Sequence, residues 1–185
     1  MLSVDEKPGI QALERATGYI ETRDKQIVRA CKSTYKRQGT LNLFAALNVA
    51  TGHIQAQTTQ TKTREDFQCF MGQVMQDLPE DKEVHVILDN YCTHKKNDEW
   101  LTKYEGRVQF HFTPTSASWL NQVEIWFGIL SRKTLKGASF SSVAELKNAI
   151  EAFIVRHNQK AQPFKWRRRE VKGSQIKNTI SNLRN

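Results

Sequence analysis

The chain has 185 residues, of which 38% are hydrophobic and 25% charged, the size and composition of one globular domain. It carries 28 Lys and Arg against 19 Asp and Glu, a net charge of +9. No apolar run approaches the roughly 20 residues that span a bilayer, which argues against an integral membrane protein. The three cysteines form no CxxC pair, so we expect a reducing, cytoplasmic setting rather than a disulfide scaffold or a zinc knuckle.

The first half of the sequence predicts strands followed by a helix. A short apolar stub opens the chain, and two strand-like segments around a Thr-Gly turn come later. Apolar residues then recur with helical period until Pro79. The predicted strands are Met1–Val4, Leu41–Val49 and His53–Thr59, and the predicted helix is Thr63–Leu78.

The second half alternates strands and helices. Strands are predicted at Val84–Leu88 and Val108–Phe112, and helices at Trp119–Thr134 and from Ser142 onwards. Ser142 and Glu145 have the spacing of a capping box. With a further helix between the last two strands, the order β-β-β-α-β-α-β-α-α predicts an α/β domain, a mixed five-stranded sheet with helices on its faces.

The C-terminal segment is strongly basic. From Lys160 to Asn185 there are eight Lys and Arg residues against one acid, Glu170. Such a segment suits a polyanion, either nucleic acid or an anionic membrane surface, although a solvated basic tail has the same composition. We therefore divide the chain into a domain at residues 1–160 and a basic segment at residues 161–185.

Three carboxylates lie in apolar sequence, where burial of a charged group costs free energy unless the group has a partner. Asp5 and Asp89 each follow an apolar strand, and Glu124 interrupts an aromatic helical stretch. A strand-end Asp is often only a turn former or a helix cap, and Glu124 has Arg132 and Lys133 as candidate ion-pair partners. Three carboxylates can also hold two divalent ions. The spacing alone does not establish that the three converge.

Three ordered segments resemble the catalytic domain of IS630-family transposases, relatives of the Tc1/mariner transposases. They are VDEKPGIQALER (Val4–Arg15), ILDNYCTHK (Ile87–Lys95) and TPTSASWLNQVEIWFGILSRK (Thr113–Lys133). Thirty-four residues lie between Asp89 and Glu124, which is the spacing of the corresponding acids in that superfamily. The resemblance extends over nearly the whole chain.

The resemblance implies an RNase H-like fold in which Asp5, Asp89 and Glu124 are the catalytic and metal-binding acids. Two Mg²⁺ or Mn²⁺ ions at these acids would support DNA cleavage at transposon ends and strand transfer into target DNA. Glu6 is expected to face away from Asp5 on a strand, and His94 is as easily a surface histidine as a supporting residue. The residues expected to support the acids are Asn90, His94 and Asn121.

The resemblance also implies DNA as the partner and a homodimer in a bacterial, nucleoid-associated setting. The expected backbone contacts are Lys95, Lys96, Lys165, Arg167, Arg168, Arg169 and Lys172. Transposases of this kind carry N-terminal helix-turn-helix modules, and this sequence begins four residues before Asp5, so we expect a separate N-terminal part. Two alternatives stay open, namely an inactive truncated transposase that only binds DNA or dimerises, and an RNase H-like nuclease with another substrate.

Overall fold

The computed structural model describes residues 1–21, 23–25, 27–90, 94, 97–114 and 120–165, without the side chains of 17–21 and 27–33. The strands are β1 (Leu2–Glu21), β2 (Ile27–Asn48), β3 (Ile54–Thr59), β4 (Val84–Leu88) and β5 (Val108–Phe112). The helices are α1 (Arg64–Gln76), α2 (Asp98–Thr102), α3 (Val123–Leu130) and α4 (Val143–Asn158). A π-helical turn, Ser131–Leu135, continues α3.

The five strands form one sheet in the order β3-β2-β1-β4-β5. β1 pairs antiparallel with β2 and parallel with β4, β2 pairs antiparallel with β3, and β4 pairs parallel with β5. The predicted order of elements and the predicted mixed five-stranded sheet flanked by helices are confirmed. In the described part of the chain, no helix has both the length and the apolar character needed to cross a membrane.

The predicted bounds of the first two strands were wrong. Instead of a four-residue stub and a nine-residue strand, β1 and β2 form a long hairpin paired from Leu2↔Asn48 to Glu21↔Ile27. β3 borders β2 only along Asn42–Leu47, and β4 borders β1 only at Leu2 and Ser3. Beyond these contacts β1 and β2 pair with each other. Ile10, Ala12 and Leu41 are still buried against the core that contains α3 and α4, but the other described side chains towards the tip are exposed or half-buried. The sequence of this part therefore lacks the long alternation that marks a half-buried strand.

Helix termini explain the other boundaries. Thr63 caps α1 in a complete capping box with Asp66. Ser142 caps α4 by accepting from the backbone N–H of Glu145, but the Glu145 carboxylate bonds to Ser141 instead of closing the box. Within the described residues, the predicted helix Trp119–Thr134 is shorter at its start and changes to π geometry at Ser131.

Apolar residues on the two faces of the sheet form separate cores. One core packs Leu43, Ala45 and Leu47 of β2 against α3 and α4, with Trp126 and Ile150 fully buried. The other core packs β1, β2 and β4 against α1 and α2. α3 is therefore fixed on the sheet beside β1, which places its first turn next to the residue that ends the apolar part of β1, Asp5.

Candidate active site

Asp5 is a buried carboxylate at the centre of a group of acids. It lies in β1 opposite Ala45 of β2 and is only 4% exposed. Its Oδ1 accepts a 2.8 Å hydrogen bond from the backbone N–H of Glu6. Burial raises the pKa of Asp5 to about 8, and the charges of Asp89, Glu6 and Glu124 add to this effect. The three segments that carry these acids thus converge on Asp5.

Asn121 joins the start of α3 to β1 next to Asp5. Its side chain is completely buried and its Nδ2 donates to the carbonyl oxygen of Val4 at 2.9 Å, with Asp5 Oδ2 at 3.4 Å. Ser3 Oγ donates to Asn121 Oδ1 and accepts from the backbone N–H of Val123 at 2.8 Å. These bonds fix the first turn of α3, from which the exposed Glu124 projects.

His94 connects the carboxylates of two strands. Its Nδ1 lies 2.8 Å from Asp89 Oδ1, and its Nε2 lies 3.0 Å from Glu6 Oε2. The ring is fully buried and packs against Phe67, with 4.9 Å between ring centroids. Burial alone lowers the pKa of His94, but the hydrogen bond to Glu6 and the charges of Glu6, Asp89 and Asp5 outweigh it and raise that pKa.

The structure bears on two residues of this cluster. His94, for which a surface position and a supporting role were both open, is buried, and Glu6, which was expected to face away from Asp5, brings a carboxylate oxygen close to it. Asp5, Glu6 and His94 each place one possible ligand atom within 4.8 Å of the others, a group that could hold a metal ion. The signal for Glu6 in the sequence was its position beside Asp5, and alternation on a strand argued against it because neighbouring side chains leave on opposite faces.

The other predicted residues lie elsewhere or outside the described residues. Asn90 is exposed, and its Nδ2 donates to the carbonyl oxygen of Thr113, so it joins the ends of β4 and β5. Lys165 is exposed near the end of the described chain. The residues outside the described part are Lys95, Lys96, Arg167, Arg168, Arg169 and Lys172.

Comparisons with known proteins identify a family for this chain. None of the curated proteins compared with the chain matches it. Among solved structures, the catalytic core domain of BIV integrase is similar, with 17% identity, a TM-score of 0.49, and coverage of 78% of this chain and 91% of that one. Residues 1–147 match the DDE superfamily endonuclease family. Because the match takes in most of the chain, including Asp5, Asp89 and Glu124, the protein belongs to the DDE superfamily endonucleases.

Proposed function

We propose that this protein is a transposase of the IS630 and Tc1/mariner type, which cuts DNA at transposon ends and transfers the strands into target DNA. The observation that carries the proposal is the convergence of acids from three segments on one buried carboxylate, Asp5. A group of acids that raise one another's pKa in a partly buried site is typical of a place where a cation binds.

The donor set fits Mg²⁺ or Mn²⁺. Asp5, Asp89 and Glu124 offer carboxylate oxygens, which these hard ions prefer, and the burial of Asp5 keeps one of them away from bulk water. Two such ions, when bound, would activate a water or a DNA 3′-hydroxyl and stabilise the leaving oxygen of the cut phosphate. Glu6 adds a fourth oxygen donor to the three acids identified from the sequence.

The surrounding residues hold these carboxylates in place. Asn121 ties the backbone of β1 to the start of α3 and thereby sets the distance between Asp5 and Glu124. His94 donates from Nδ1 to Asp89 and, when doubly protonated, forms an ion pair with Glu6 through Nε2. Such supporting contacts orient metal ligands before an ion arrives. Lys95, Lys96, Lys165 and the basic segment 161–185 would contact the phosphate backbone of the substrate DNA.

Plasmid nicking tests the proposal. We expect nicking by the purified chain that depends on Mg²⁺ or Mn²⁺ and is lost in Asp89→Asn and in Glu124→Gln. Glu124 is exposed, so Glu124→Gln removes one charge without disturbing the core. Glu99→Gln, an exposed acid of α2, is the matched control and should nick like the wild type.

Three outcomes would contradict the proposal. Nicking that survives Asp89→Asn would place the chemistry elsewhere. Salt-sensitive DNA binding by the wild-type chain without nicking would favour a protein that only binds DNA or dimerises. Preferential cleavage of RNA–DNA hybrids would instead indicate a nuclease with another substrate. Size-exclusion chromatography with multi-angle light scattering tests the homodimer, and supplying a helix-turn-helix part in trans tests whether end recognition needs one.

A further inference from the structure

A groove on the side of α3 that faces α4 is lined by cations. Its volume is about 670 Å³ and its apolar floor includes Ile129 and Phe153. Lys133 projects into it from the π-helical turn, and Arg156 and Lys160 from α4 and the residues after it. No carboxylate lines the groove in the part of the chain that the structure describes.

These three cations have no acidic partner among the described residues. Lys133, Arg156 and Lys160 are exposed, and none of them lies within ion-pair distance of a described carboxylate. Glu151, the acid of α4 nearest to Arg156 in sequence, pairs with Lys147 at 3.7 Å, one turn further back. Like charges that face one open groove without counter-charges favour an anionic ligand, since they repel one another without it.

The groove and the acidic cluster lie on different flanks of α3. Ile129, which lines the groove from α3, follows Glu124 by five residues, about 140° around an α-helix. Lys133 lies beyond it in the π-helical turn, so the groove opens on a flank of the helix well away from the one that carries Glu124. A DNA strand bound at the carboxylates would therefore have to leave the flank of α3 that carries Glu124 in order to enter the groove.

The end of the groove is held rigidly. The His157 Nε2 donates to the carbonyl oxygen of Gly52 at 3.0 Å, and the backbone of Gln162 lies so close to Gly52 that a Cβ there would be 2.1 Å from its oxygen. The turn between β2 and β3 thereby fixes the chain after α4, which carries Lys160 and leads to Lys165. Preorganised cations bind phosphates at a smaller entropic cost than mobile ones.

We propose that this groove binds the sugar–phosphate backbone of a second segment of duplex DNA, separate from the strand that the carboxylates cut. The inference rests on the proposed function for the choice of DNA as the anion. The contacts are with phosphates and so are independent of base sequence. This surface adds Lys133, Arg156 and Lys160 to the DNA-contacting residues expected from the sequence.

The test compares two triple variants of equal charge. Lys133→Gln/Arg156→Gln/Lys160→Gln removes the groove cations, and Lys82→Gln/Lys103→Gln/Lys147→Gln removes three exposed lysines that do not line it. Affinity for a 30-base-pair duplex is measured in EDTA over a range of salt concentrations. The slope of log K against log salt is negative, and each lost phosphate contact reduces its magnitude by about 0.9, so we expect the magnitude to fall by about 2 to 3 for the groove variant. The control variant should keep the wild-type slope.

Equal slopes for the two variants would overturn the proposal. The proposal would also be overturned if the groove variant kept the wild-type salt dependence of DNA binding but no longer bound phosphatidylserine vesicles, because the groove would then serve a membrane surface. If circular dichroism shows that the groove triple variant does not fold, the single variants Lys133→Gln and Arg156→Gln should each reduce the magnitude of the slope by about 0.9. Because binding is measured without metal, absence of nicking by the wild type would refute the proposed function and leave this result standing.

Discussion

Replacing Asp5 by Asn should stabilise the metal-free protein at high pH while abolishing metal binding. The pKa of this carboxyl is 3.8 in its ordinary state and about 8 in the folded chain, where burial and the neighbouring acids oppose its ionisation. Between these two values the unfolded chain has released a proton that the folded chain retains. The free energy of unfolding therefore falls as pH rises from 4 to 8, and the Asp5→Asn substitution removes that dependence.

The size of the effect follows from the two pKa values. Each pH unit between the two pKa values changes the free energy of unfolding by about 1.4 kcal/mol. Between pH 5 and pH 8 the free energy of unfolding should therefore fall by about 4 kcal/mol more for the wild type than for Asp5→Asn. A loss of this size is a large part of the total stability of a small domain, which is roughly 5–15 kcal/mol. The variant should consequently be the more stable protein at pH 8.

Urea unfolding followed by circular dichroism at pH 5 and pH 8, in EDTA, measures this difference. Glu80→Gln, an exposed acid in a loop, controls for the change in net charge and should follow the wild type. Addition of Mg²⁺ at pH 8 should then stabilise the wild type and the control but not Asp5→Asn, because a ligand stabilises only the state that binds it. Parallel pH dependence of wild type and Asp5→Asn would refute the electrostatic reasoning.

Three further changes test the framework around the site. His94→Ala should destabilise the fold by about 3 kcal/mol or more in thermal unfolding, because it leaves two carboxylates without their buried partner; an unchanged melting temperature would contradict the bridge. Gly52→Ala should lower the melting temperature, since φ is +76° and the new Cβ would meet the backbone of Gln162; wild-type stability would contradict that contact. Thr63→Ala should cost about 1 kcal/mol in urea unfolding by removing the cap of α1, whereas Thr63→Ser should cost little.

The sequence identified the three acids because each breaks an apolar pattern that predicts its element. A carboxylate after a buried strand, or inside an aromatic helix, requires a partner wherever the chain folds. This reasoning predicts Asp5, Asp89 and Glu124 as site residues, and in the structure the charges of Asp89 and Glu124 both act on the buried Asp5 carboxyl and raise its pKa. The order of the elements could also be predicted, because segments with helical period and segments with strand period alternate clearly along the chain.

The contacts of Glu6 and His94 were not accessible from the sequence. The histidine comes five residues after Asp89, beyond the apolar pattern that predicts β4, so no period in the sequence predicts where its ring points. Only the parallel pairing of β1 with β4 brings it to Glu6, and that pairing involves just Leu2 and Ser3 of β1. The outer hairpin of β1 and β2 was missed for a related reason. Its buried residues among those described are Ile10, Ala12 and Leu41, too few to produce the alternation that predicts a strand.

Charges of opposite sign stand at the two ends of α3 and its π-helical continuation, and this arrangement links the two proposals. Glu124 lies in the first turn of α3, and Lys133 lies in the π-helical turn that follows its last residue. Between them, the fully buried Trp126 and Leu130 anchor the helix on the sheet, so the distance from the acids to the groove is set by a packed core. DNA held in the groove would therefore lie at a fixed distance from the carboxylates. For that reason we expect neutralising the groove to weaken affinity and its salt dependence, and neutralising Asp89 or Glu124 to remove cleavage.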